Sequence, residues 1–183
     1  MKRTFLATCL AGVAVAAAVG LPAPASADEG TTTVTLNVTA SGGLTITVPA
    51  TANLGNGTEG STISGNLGPV TVLDQRALLN ASWNATVVAS DFTTGGGTAA
   101  ETIPAINVRY WSGPATGTSG EGTFTPGQPT AADAEIINVP QTAFTHTGGS
   151  GNNFATWNPT VLVDVPDATS GGTYTGTVTH SVL

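Results

Sequence analysis

The sequence predicts an all-β fold, a single antiparallel β-sandwich of the immunoglobulin-like, Greek-key type with long Gly- and Thr-rich loops. Three observations carry that expectation. Short runs alternate between apolar and polar residues, the period of a half-buried strand. Clusters of Gly, Pro, Asn, Ser and Thr separate the runs and have the composition of turns. No segment beyond residue 27 combines a helical apolar period with caps. Several short strands closed by such turns bury their apolar faces against one another as a sandwich.

The runs follow one another along the chain. Val34, Leu36 and Val38 alternate with Thr33, Thr35, Asn37 and Thr39, and Leu44, Ile46 and Val48 alternate with Thr45 and Thr47. Val70 and Val72 follow Gly68-Pro69, and Trp83, Ala85 and Val87 alternate with Asn84 and Thr86. Ile106, Val108 and Tyr110 alternate with Asn107, Arg109 and Trp111, and Val161, Val163 and Val165 with Leu162 and Asp164. The last run sets Tyr174, Gly176, Val178, His180 and Val182 against Thr173, Thr175, Thr177, Thr179 and Ser181. Between them, 53–65, 93–100, 112–132 and 148–153 read as loops. The stretch 112–132 is long for a sandwich loop, so it is expected to be functional or mobile.

The first residues predict export. Lys2 and Arg3 precede an apolar run from Phe5 to Leu21, and Ala25-Ser26-Ala27 offers the small residues of a cleavage site. This is the order of a secretory signal peptide, expected over 1–27, with one domain over 28–183. Pro22 and Pro24 end a run that is short for a membrane span, and no second long apolar stretch follows. Cys9, the one cysteine, lies inside the leader, so no disulfide is expected in the mature chain. Ser181-Val182-Leu183 bears no sorting motif, so the expectation is a protein released outside the cell or held noncovalently on the wall.

Charge narrows the partners. Beyond the leader, Arg76 and Arg109 face all eleven acidic residues, an excess of nine negative charges. Phosphate backbones are held by clustered Lys and Arg, so nucleic acid is not expected as a partner.

Few residue types remain that could carry chemistry. Asp74 and Arg76 are an opposite-charge pair beside an apolar strand. Arg76 has the fork to hold a carboxylate of a wall peptide, though the plainer expectation is that the pair pins a strand end. His180 shares parity with Val178 and Val182 and is expected in the core, whereas His146, beside Gly148-Gly149, is expected in solvent. Trp83, Tyr110 and Tyr174 take core parity. Trp111 takes the opposite parity with Arg109, where an outward ring beside a cation suits a sugar or a cation–π pair. Trp157, in Phe154-Ala155-Thr156-Trp157-Asn158-Pro159, is expected just before a strand, capping one end of the sandwich. Trp111, Arg109, Trp157 and Arg76 are therefore the candidate ligand-binding residues. Neither a metal-ligand spacing, a nucleophile elbow nor a calcium loop is present in the sequence, so no cofactor, metal or catalytic site is expected.

Three stretches resemble the WxL family of bacterial cell-surface proteins. They are Ala52-Asn53-Leu54-Gly55, then Val70-Thr71-Val72-Leu73-Asp74-Gln75-Arg76 with Trp83-Asn84-Ala85-Thr86-Val87, then the closing run from Gly172 to Val182. At the two positions of the family's W-x-L signature the chain reads Trp83-Asn84-Ala85 and His180-Ser181-Val182, so both motifs are altered. The resemblance implies a β-sandwich held noncovalently on the Gram-positive wall by peptidoglycan. The expected function is thus a noncatalytic module that binds cell-wall glycan or other surface proteins. The alternative is a structural subunit that assembles with its own copies, or with larger surface proteins, through edge strands.

Overall fold

The computed structural model describes residues 32–183, and the expected leader lies outside them. Among the described residues the chain is all-β, broken by short 3-10 turns at Ala99–Glu101, Ala105–Asn107 and Ala131–Asp133. The strands are β1 (Leu44–Thr47), β2 (Thr62–Asn66), β3 (Val70–Asp74), β4 (Ala81–Ala89) and β5 (Phe92–Thr93). They continue with β6 (Thr102–Ile103), β7 (Val108–Trp111), β8 (Ala115–Ser119), β9 (Thr123–Pro126) and β10 (Glu135–Ile136). The last are β11 (Gln141–Gly149), β12 (Asn153–Trp157), β13 (Thr160–Asp164) and β14 (Val178–Val182).

These strands pack as an all-β sandwich made of three four-stranded antiparallel sheets rather than the two of an immunoglobulin-like domain. The first is ordered β1-β3-β12-β8, the second β10-β7-β13-β2 and the third β14-β4-β11-β9, with β5 and β6 as a small ribbon. The first two sheets are one layer creased across three strand paths. β2 runs into β3 through Leu67-Gly68-Pro69, β7 into β8 through Ser112-Gly113-Pro114, and β12 into β13 through Asn158-Pro159. On one side of the crease Val70, Trp157 and Ala115 are cross-strand neighbours, and on the other Asn66, Thr160 and Trp111. Proline has no N–H to give to a ladder and fixes its φ, so a row of prolines at one level interrupts the pairing there and turns all three strands together. Gly68 at φ +92° and Gly113 at φ +70° supply the backbone that a side chain resists.

The third sheet packs against both halves of the creased layer. Alternation sends Trp83, Ala85, Val87 and Ala89 of β4 inward against Val70, Val72, Tyr110, Trp157 and Val161, all buried. Ile137, fully buried, closes one side: its N–H donates to Val108 O, and its carbonyl accepts from Ala89 N–H. In β11 the register slips between Thr142 and Phe144, and Ala143 and Phe144 are both buried at this bulge.

The structure departs from the expected runs and loops in five places, the first being β2, whose Thr62–Asn66 takes up the end of the 53–65 stretch expected as a loop. Residues 32–43 carry no strand, and Val34, Leu36 and Val38 are 80%, 77% and 81% exposed. Ile106 lies in a 3-10 turn, so that strand begins at Val108. The stretch 112–132 is not a loop: it holds β8, β9 and a 3-10 turn, with Gly120 and Gly122 at positive φ between the strands. The closing run is paired as a strand only over Val178–Val182, preceded by a single bridge between Thr175 and Thr93.

Candidate functional site

The outer face of the second sheet gathers two of the four candidate residues. Arg109 and Trp111 both point outward from β7, and the register places them beside Leu162 and Thr160 of β13. Arg109 donates from Nε and Nη2 to both oxygens of Asp164, at 3.0 and 2.9 Å. Thr62 of β2 donates its hydroxyl to Asp164 Oδ1 at 2.6 Å. The next row runs Trp111, Thr160, Asn66, with the Thr160 hydroxyl donating to Asn66 Oδ1 at 2.8 Å. Hydrogen bonds from the Arg109 guanidinium, above all, hold the Asp164 carboxyl below its ordinary range, so it is ionised at neutral pH. Trp111 lies against Gly113, where an added Cβ would stand 3.4 Å from the ring. The result is a partly exposed indole, a planar ion pair, a hydroxyl and an amide on one sheet face. That set can stack on a ring and hydrogen-bond hydroxyls.

The structure sets the other two candidates elsewhere. Trp157 ends β12 and is fully buried, stacked on Phe144 at 4.9 Å, so its ring offers no face to a ligand. Its N–H donates to the Tyr110 hydroxyl at 2.9 Å, which lies 3.2 Å from His180 Nε2. An indole N–H only donates, so the tyrosine oxygen accepts from Trp157; with the imidazole proton on Nδ1, the tyrosine O–H donates to Nε2. Burial pushes His180 down to about 4, in keeping with that neutral state, and pushes the Tyr110 hydroxyl up. The parity that placed His180, Tyr110 and Trp83 in the core is right; Tyr174 is only partly buried against it.

Arg76 is committed to Asp74. Its Nε and Nη2 donate to Asp74 Oδ1 and Oδ2 at 2.9 and 2.8 Å, and its backbone N–H adds a third bond. Asp74 is wholly buried, and its cross-strand neighbour Asn153 links it onward, accepting from Trp83 Nε1 at 2.8 Å. The Asp74-Gln75-Arg76 block and Trp83 are thus one buried network that closes the end of β3, which answers the plainer expectation.

His146 is the clear correction. It is fully buried, not in solvent, because the register of the third sheet lines up Trp83, His146 and Phe124 across β4, β11 and β9. The ring stacks on Trp83 and lies tilted against Phe124, and its Nε2 donates to Glu121 O at 2.8 Å. Gly122 and Gly149 make the room, since a Cβ at either would come within 2.6 Å of the imidazole. The alternation Phe144-Thr145-His146-Thr147 carried this signal, and the adjacent Gly148-Gly149 obscured it.

Asp164 and Asn66 were missed. Their partners lie 55 and 94 residues away in sequence, and only the register brings them together. Among the described residues no cluster of His, Cys, Asp and Glu is arranged to hold a metal ion, and no helix is long and apolar enough to cross a membrane. No protein-family model and no curated protein matches the chain.

Proposed function

We propose that the chain is a noncatalytic binding module exported to the bacterial envelope, and that it holds a neutral wall glycan on the outer face of the second sheet without a covalent bond. The observation that carries this is the placing of Trp111 and the Arg109–Asp164 fork at successive outward positions of one sheet face. A pyranose presents an apolar C–H face to an indole and vicinal hydroxyls to planar polar groups, and Thr160 and Asn66 extend the same row. The excess of acidic residues disfavours anionic polymers and leaves an uncharged glycan as the matching chemistry. The signal-like leader and the WxL-like segments support the same compartment.

Sedimentation at low salt with insoluble wall glycan stripped of its stem peptides and anionic polymers tests it. The chain beginning at Asp28 is expected in the pellet, and Trp111→Ala or Asp164→Ala is expected to lower the bound fraction by about tenfold, the loss of about 1.4 kcal/mol. A wild-type chain that stays in the supernatant overturns the proposal.

A further inference from the structure

The chain carries a strand-like segment without a sheet and a groove without a strand. Residues 32–39 read Thr-Thr-Val-Thr-Leu-Asn-Val-Thr, a clean period-two pattern of β-formers. Yet they form no strand, and their three large apolar side chains are each about four-fifths exposed. Such a segment gains backbone partners and burial together only by joining a sheet.

The body, Val38–Leu183, offers the complement. Between two irregular stretches, 52–59 and 169–176, lies a groove of about 820 Å³, and a cleft of about 350 Å³ adjoins it and shares Ala52, Leu54, Phe92, Thr175 and Gly176. Leu54, Ile63, Phe92, Val163 and Val165 give the larger groove its apolar lining. One wall is open, irregular backbone: over 48–57 no N–H or carbonyl bonds another backbone group among the described residues, and only the Gly55 N–H is taken, by Asn53 Oδ1. Glu59 is the one charged side chain in either lining, so an uncharged guest meets no charge conflict.

We infer that residues 32–39 of one copy add as a strand along the 48–57 backbone of a second copy, with Val34, Leu36 and Val38 on the apolar lining. Strand addition takes its affinity from main-chain bonds and its specificity from alternate side chains seated in the groove; here the free backbone groups of 48–57 offer the first and the apolar lining the second. Donor and acceptor are different surfaces of one chain, so the contact is head-to-tail and propagates into an open string rather than a closed dimer. The inference stands independently of glycan binding, because Trp111, Arg109 and Asp164 are not in the groove.

The test uses the chain beginning at Asp28 and light scattering over a range of concentrations. The wild type is expected to rise above the monomer mass with concentration. Leu36→Asp spoils the donor and Ala52→Arg blocks the acceptor; both positions are exposed, so an unchanged near-UV spectrum is expected to report an intact fold. Each variant alone is expected to be monomeric, and an equimolar mixture of the two to give a species of twice the monomer mass and no larger. A wild type monomeric at every concentration overturns the inference. So does an Ala52→Arg variant that keeps the wild-type mass, which would mean that the 32–39 segments pair with one another instead. A mixture that stays monomeric overturns it as well.

Discussion

Trp157 donates its indole N–H to the Tyr110 hydroxyl at 2.9 Å, in the fully buried centre of the sandwich. The hydroxyl hands the polarity on to His180, so one oxygen satisfies two buried rings. Tyr110→Phe removes that oxygen and strands the Trp157 N–H and His180 Nε2 without partners. The variant is expected to lose about 2–3 kcal/mol in urea unfolding, as buried polar groups left unmade cost about that much. A loss within experimental error would mean the relay does not hold the core.

His180 sets the acid limb of stability. Its folded value near 4 lies below the ordinary 6.5, so the unfolded chain binds the extra proton between those values. Stability from this group is complete above about pH 6.5 and is lost as the pH falls toward 4, by about 3 kcal/mol in all. Asp74 and Asp164, both held below 3.8, lose their contribution only beneath that value. Unfolding measured from pH 7 to pH 3 should show two successive declines, and His180→Gln should abolish the first alone.

The two arginines should differ in weight. Arg76→Ala leaves the wholly buried Asp74 carboxylate without its fork, and a loss of about 3 kcal/mol is expected. Arg109→Ala opens a half-exposed pair, and a loss of about 1 kcal/mol or less is expected. Equal losses in parallel denaturant titrations would contradict the burial difference.

The same contrast separates the tryptophans. Trp157→Ala empties a site beside Phe144 and is expected to cost about 4 kcal/mol. Trp111→Ala is expected to leave the fold within about 1 kcal/mol while releasing the chain from wall. A Trp111→Ala chain that unfolds would make the ring a structural cover.

The strand faces were legible because parity is local. Trp83, Tyr110 and His180 fell on the buried side as their neighbours required, and Trp111 and Arg109 on the outer one. Register is not local, and so the ion pair to Asp164 needed the neighbouring strands, whereas the burial of His146 lay in a local alternation that Gly148-Gly149 obscured. Composition misled at 112–132, where Gly and Thr belong to β8, β9 and their turn rather than to an open loop. It misled at Val34–Val38 in the other direction, since a strand-like run forms a strand only where an edge receives it.

The proline crease has a consequence for solubility. Thr-rich chains with long alternating runs are prone to stack edge to edge into fibres when their strands stay straight. Pro69, Pro114 and Pro159 break three such runs at one level, leaving no more than five residues between the fold line and each strand end. Flattening that line, by replacing all three prolines together, should favour amyloid-like deposits over the folded chain.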